Sequence, residues 1–168
     1  METAAEVASV DAVQLCYSLL WRWRERDVIP YCERKKIAVV TYGALAQGLL
    51  AGRISDKAEL QPNDPRLKTV FYDDGVFPRV LETVDAMSRT ASAAGETLPR
   101  FALAWVLSQP GIVATLVGAR SPEQVVGSLP KNIAALAADA ETLAGLTEVS
   151  DRFESAIPDV GNIFRFYP

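Results

Sequence analysis

Three short apolar runs limit what this chain can fold into. Residues 11–18, 37–42 and 112–117 are each of strand length, and the second carries four β-branched residues in six. Stretches with helical spacing follow each run, so the order reads strand, helix, strand, helices, strand, helix, helix. That alternation predicts an α/β fold of parallel βαβ units. Three parallel strands alone make a poor sheet, because such sheets need both faces covered and here both edges lie bare. The chain therefore reads as a continuous piece of something larger. Residues 1–168 form one partial domain, with 1–10 as a truncated lead-in that ends a helix and 155–168 as a C-terminal tail.

The helices are legible from spacing and caps. Val28, Ile29, Tyr31 and Cys32 give an apolar face to a helix running to Lys36, with Pro30 in its first turn. A second runs from Phe77 to Ala94, with Val80, Leu81, Val84, Met87 and Ser88 on one side and Gly95 as its stop. Pro99 to Ser108 carries Phe101, Ala102, Trp105 and Val106, and Asp139 caps a last helix reaching about Phe153. Between them, residues 53–76 read as a long surface loop with turn chemistry at 61–66 and 72–75. Loops beyond ~12–15 residues are usually functional or mobile. The aromatic tail, 163–167, is expected to dock on the body.

Composition excludes several classes. A net charge of -4 argues against nucleic acid or an anionic membrane as the main partner. No apolar run approaches the ~20 residues of a membrane span, and no signal pattern opens the chain. Cys16 and Cys32 lack metal-type spacing and read as two buried free thiols in a reducing cytoplasm. The chain has no histidine, so it cannot by itself build a histidine triad, a histidine metal site or imidazole acid–base chemistry. No metal site is expected.

Three places carry binding chemistry. After the third run, Gly118 and Ala119 turn the chain and Ser121-Pro122-Glu123-Gln124 opens a helix, with Ser121 at the N-cap, Pro122 first inside and Gln124 at the capping-box position. Arg120 stands just before the cap, so a guanidinium and free helical N–H groups could meet an anion. An ordinary strand-to-helix turn with an exposed arginine is the alternative. The loop from Tyr42 to Arg53 holds three glycines among small apolar residues, which suits either close backbone approach to a ligand or a compact apolar turn. Gln14 is a polar amide among apolar neighbours, facing solvent at a strand end or bonding inside a site.

Together these segments resemble the aldo-keto reductase family, a (β/α)8 TIM-barrel family of NADP(H)-dependent oxidoreductases. The resemblance spans about 11–150 and rests on Val13-Gln14 with residues 17–22, on 29–32, on 37–52, on Asp64-Pro65-Arg66, on 102–111 and on Val117-Gly-Ala-Arg-Ser-Pro-Glu-Gln124. It implies that the three strands are the sixth, seventh and eighth of the barrel, and that the chain is its C-terminal, NADP(H)-binding part. Residue by residue, Gln14 then meets the nicotinamide carboxamide and Tyr42 stacks on the ring. Gly43, Ala44, Leu45, Gln47 and Gly48 run along the pyrophosphate, and Gly118 is a further cofactor-binding position. Arg120 and Ser121 take the 2′-phosphate, which favours NADPH over NADH, and Gln124 and Ser128 face the adenosine. The family pattern continues with a Glu-Asn pair where this chain has Gly127 and Ser128, so adenine is expected to bind more weakly or differently.

The family's catalytic aspartate, tyrosine, lysine and histidine all precede the point where this sequence begins. Tyr17, Tyr31, Tyr42, Tyr72 and Tyr167 do not match its catalytic tyrosine. No catalytic residue is assigned, and no turnover is expected of the chain alone. In the complete enzyme, hydride would reduce a small aldehyde or ketone. The alternative is a non-catalytic nucleotide-binding or protein-interaction module completed by a missing N-terminal segment, by another partner or by itself; a third reading is an unstable remnant with no function.

Overall fold

In a computed structural model of the 168-residue chain, described for residues 9–129, 132–158, 160 and 163–164, the three runs form one parallel sheet. Its strands are β1 (Ala12–Cys16), β2 (Ala38–Tyr42) and β3 (Ile112–Leu116), in that spatial order. The expected lead-in helix at 1–8 and the tail residues Arg165, Phe166 and Tyr167 lie outside the described residues. Each strand is one to three residues shorter than its apolar run.

Among the described residues the sheet is packed by six α-helices: α1 (Val28–Lys35), α2 (Phe77–Ala93), α3 (Leu98–Ser108), α4 (Pro122–Ser128), α5 (Ile133–Ala137) and α6 (Ala140–Glu154). α5 was not expected: it is a single alanine-rich turn capped by Asn132, too short to show a period. α3 is buried from Phe101 to Val106 on every side, as an apolar helix must be. Trp105 lies at its centre, stacked on Tyr17 at 5.4 Å and donating its indole N–H to Thr147 Oγ1 on α6 at 2.8 Å. α6 packs closely on α2, where a Cβ at Gly145 would come within 3.3 Å of Thr90 Cγ2.

The two faces of the sheet differ. In register, Leu15 pairs Thr41 and Thr41 pairs Thr115, while Gln14 pairs Val40 and Val40 pairs Ala114. On the first face Thr41 and its neighbour Val39 are fully buried beneath the helices. On the other, Ala12, Gln14 and Leu116 are exposed, and Val40 and Tyr42 are half-buried. A register shift opposite Val39 and Val40 leaves Val113 unpaired in β3, 63% exposed. Cys32 is buried as expected, but Cys16 lies towards the open face and is half-buried.

The segment 53–76 is more than a surface loop. It holds three short 3-10 turns, and the last, Val70–Tyr72, is wholly buried in the core. The sequence signal at 61–66 spoke of turns, whereas Val70, Phe71 and Tyr72 form too short a run to show a period. Among the described residues no helix is long and apolar enough to cross a membrane.

Candidate functional site

The C-terminal ends of parallel strands are where open α/β sheets place their ligand sites. Here β2 leaves through Gly43, whose φ of +71° only glycine adopts at little cost, with its would-be Cβ 3.3 Å from Cys16 Sγ. The chain then coils through residues 46–51, where Ala46 and Gln47 also take positive φ, +46° and +58°, ahead of Gly48 at +99°. Left-handed backbone costs a non-glycine residue roughly 1–2 kcal/mol. Two such residues in sequence show a loop shape held against local preference, a feature that clusters at ligand sites.

Beside this loop, β3 leaves through Val117 and Gly118 to Arg120. Ser121 caps α4 as expected, its hydroxyl accepting from Gln124 N at 3.3 Å. The capping box does not close as the spacing predicts. Gln124 Oε1 accepts from Arg120 N at 2.8 Å, one residue further back, so it fixes the arginine's backbone rather than that of the cap.

Between the two exits lies a groove of about 700 Å³. Gly43, Ala44, Leu45, Gln47, Gly48, Gly118, Arg120, Gln124 and Ser128, nine of the twelve residues singled out in the sequence, line it together. Ser121 stands next to it in the chain, as α4's cap. Gln14 and Tyr42 are on the open sheet face instead: Gln14 is exposed, two residues before Cys16, which pairs with Tyr42. Tyr42 is half-buried, and Phe164 of the tail stacks on its ring. Burial raises the Tyr42 phenol above its ordinary value, with Cys16 adding to the effect and Arg24 opposing it.

Four charged residues of the lining had no binding role assigned from the sequence. Arg53, Glu59, Asp64 and Arg66 all come from the long loop. Arg66 Nε and Nη2 donate to Asp64 Oδ1 and Oδ2 at 2.9 and 2.6 Å, and Arg66 N donates to Oδ1 at 2.9 Å. That fork holds the Asp64 carboxyl well below the usual range, at about 2. Arg53 and Arg120 also line the groove, and the Arg120 charge adds to the lowering of Asp64. The length of the loop and its Asn-Asp-Pro turn were the available signals; its closure over the β2 and β3 exits is tertiary.

This is an arginine-lined groove of about 700 Å³ at the strand ends of a parallel α/β sheet. The aldo/keto reductase family model matches residues 1–150. The chain is 32% identical over 126 residues to aldo-keto reductase YhdN of Bacillus subtilis, covering 74% of this chain and 38% of that one. It is 31% identical over 152 residues to NADH-specific methylglyoxal reductase of Escherichia coli, covering 88% and 45%. Among solved structures, a glycerol dehydrogenase of Gluconobacter oxydans matches with a TM-score of 0.69 at 29% identity, covering 95% of this chain and 48% of that one. The chain belongs to the aldo/keto reductase family. It spans less than half the length of these relatives.

Proposed function

We propose that this chain is the nucleotide-binding C-terminal part of an aldo-keto reductase (β/α)8 barrel, supplying its last three strands, and that the nucleotide is NADP(H). The observation that carries the reading is the groove itself, in which the loops after β2 and β3 meet around Arg53 and Arg120. The residues present fit a dinucleotide. Small residues let backbone come close to a pyrophosphate, the Arg53 and Arg120 guanidinium groups match its charge, and a strained loop is held in place to receive it. Tyr42 offers a flat ring to a nicotinamide, and Gln14, on the same sheet face, offers both an amide donor and an acceptor to a carboxamide.

A reduced nicotinamide bound there supplies hydride to a carbonyl carbon. The carbonyl oxygen also needs a proton, and Tyr17, Tyr42 and Tyr72 are unsuited to giving one. Tyr17, Tyr42 and Tyr72 all have their phenol pKa raised, in each case chiefly by burial, which makes them poorer acids. The acid is therefore assigned to a segment outside these three strands, and that segment covers the open face bearing Gln14. The chain alone then binds nucleotide without turnover. A binding module completed by a partner or by a second copy is the other reading, favoured by the exposed Val113 and Leu116 on edge strand β3.

One relative is named as NADH-specific, so the assignment of a 2′-phosphate to Arg120 is the part to test. Nucleotide titration of the chain and of Arg120→Ala should show NADPH weakened about tenfold, as loss of a charged hydrogen-bond partner implies, and NADH by less than about twofold. Equal losses for both would remove Arg120 from phosphate recognition.

A further inference from the structure

On the nucleotide reading, which it deepens, we propose that Glu25 is a positioning residue for the nicotinamide end. Acting through Tyr17, it fixes the exit of β1 against that of β2 and so sets where the Tyr42 ring stands. The last registered pair of the two strands is Cys16 with Tyr42. One backbone bond goes further, from Tyr17 N to the Tyr42 carbonyl at 3.1 Å. Beyond it β2 turns away at once through Gly43 and its positive φ. Cys16 Sγ stands 3.3 Å from where a Cβ on Gly43 would be, so the two exits are in close contact on this side as well. A shift of Tyr17 is therefore passed to the backbone of Tyr42.

Tyr17 is itself held by Glu25. Its ring is fully buried against Trp105, and its hydroxyl donates to Glu25 Oε1 at 2.5 Å. Glu25 comes back to Tyr17 because the chain doubles on itself between them: Ser18 N donates to the Trp21 carbonyl at 3.1 Å and Trp21 N to the Ser18 carbonyl at 2.9 Å. The carboxylate is gripped in turn by the Arg22 fork, whose Nη1 reaches Asp151 Oδ1 at 2.6 Å and Ser150 Oγ at 3.2 Å on α6. The tyrosine hydroxyl is thus anchored to a helix through charged groups, whose hydrogen bonds are about twice as strong as neutral ones. Paired charges often stabilise a fold no better than apolar residues of the same volume, whereas their directed bonds admit one geometry. None of Tyr17, Arg22 and Glu25 lines the groove, so the network acts on it only through the strand exits. It acts on one end. Gln14 lies on β1 and Tyr42 on β2, while Arg53 belongs to the long loop and Arg120 and Ser121 to the exit of β3. Loosening the junction of Tyr17 with Tyr42 weakens the hold on nicotinamide and spares the phosphate end.

The test titrates the full chain by calorimetry with NADP+ and with 2′,5′-ADP, which keeps the adenosine and its 2′-phosphate but lacks nicotinamide. The unaltered chain should bind NADP+ the more tightly. Tyr17→Phe keeps the buried ring and removes only the bond to Glu25. It should weaken NADP+ about fivefold, the scale of one net hydrogen bond, and 2′,5′-ADP by less than about twofold, with circular dichroism unchanged. Glu25→Ala should do the same, and Glu25→Gln, which can still accept from the Tyr17 hydroxyl, should recover most of the loss. Equal weakening of both ligands in a folded Tyr17→Phe, or weakening of neither, overturns the role of Glu25 and leaves the nucleotide reading standing. Should Tyr17→Phe lose its fold, Glu25→Ala against Glu25→Gln decides by the same ratio. If 2′,5′-ADP binds the unaltered chain as tightly as NADP+, the placing of nicotinamide on Tyr42 falls and this proposal with it. Absence of binding by either ligand overturns the nucleotide reading itself.

Discussion

Phe164 lies stacked on Tyr42, with ring centroids 6.5 Å apart and planes inclined by 19°. The contact is anchored by its neighbour: Ile163 is buried, and its carbonyl accepts from Val70 N at 3.3 Å. Ile163 and Phe164 thus pack on the body, Phe164 on the ring proposed to receive nicotinamide. At this separation the stack is near the outer limit of aromatic pairs, so it contributes about 0.5 kcal/mol. Phe164→Ala should tighten NADPH about twofold to threefold, read by fluorescence titration. Unchanged affinity would mean that tail and nucleotide do not share the Tyr42 ring.

The Asp64–Arg66 fork predicts an acid-sensitive term in stability. The Asp64 carboxyl falls from an ordinary 3.8 to about 2 in the folded chain. A depressed carboxylate stabilises the fold fully above its unfolded value and stops doing so as pH falls through its folded value. Urea unfolding of the chain and of Asp64→Asn should therefore differ most above about pH 4, with the gap closing towards about pH 2. A gap independent of pH would show that the aspartate acts without its charge.

A second cluster pins α6 to the segment after β1. Arg22 Nε and Nη2 donate to Glu25 Oε1 and Oε2 at 2.7 and 2.8 Å, and Nη1 donates to Asp151 Oδ1 at 2.6 Å. Ser150 Oγ donates to the Leu19 carbonyl at 2.6 Å, and the guanidinium lies over Trp105 at 5.3 Å. Removing the arginine leaves Glu25 beside the buried Tyr17 hydroxyl without its counter-charge. Arg22→Met should lower unfolding free energy by about 2–3 kcal/mol, and Arg22→Lys, which cannot make the fork, should recover only part. Denaturant midpoints measure both, and a loss within about 0.5 kcal/mol, the range of an ordinary surface change, would make the network incidental.

The sequence was most legible where short-range rules act. Strand placement, the Ser121 and Asp139 caps and the glycine at 43 follow from β-branching, side-chain acceptors and backbone freedom, all within four residues. The nine groove residues were named through the family resemblance, and they come together because two strand exits in a parallel sheet open on the same end. Arg53, Glu59, Asp64 and Arg66 were given no site role because what brings them to the groove is how residues 53–76 fold back, with Val70, Phe71 and Tyr72 buried in the core. The reach of Gln124 to Arg120 rather than Ser121 likewise depends on the turn at 118–120.

The most direct measurement is a fluorescence titration of the purified chain with NADPH, with thermal unfolding followed by circular dichroism on the same sample. The account predicts one cooperative transition and saturable binding at micromolar NADPH, on the order of the typical affinities of nucleotide sites. A cooperatively folded chain that does not bind NADPH would contradict it.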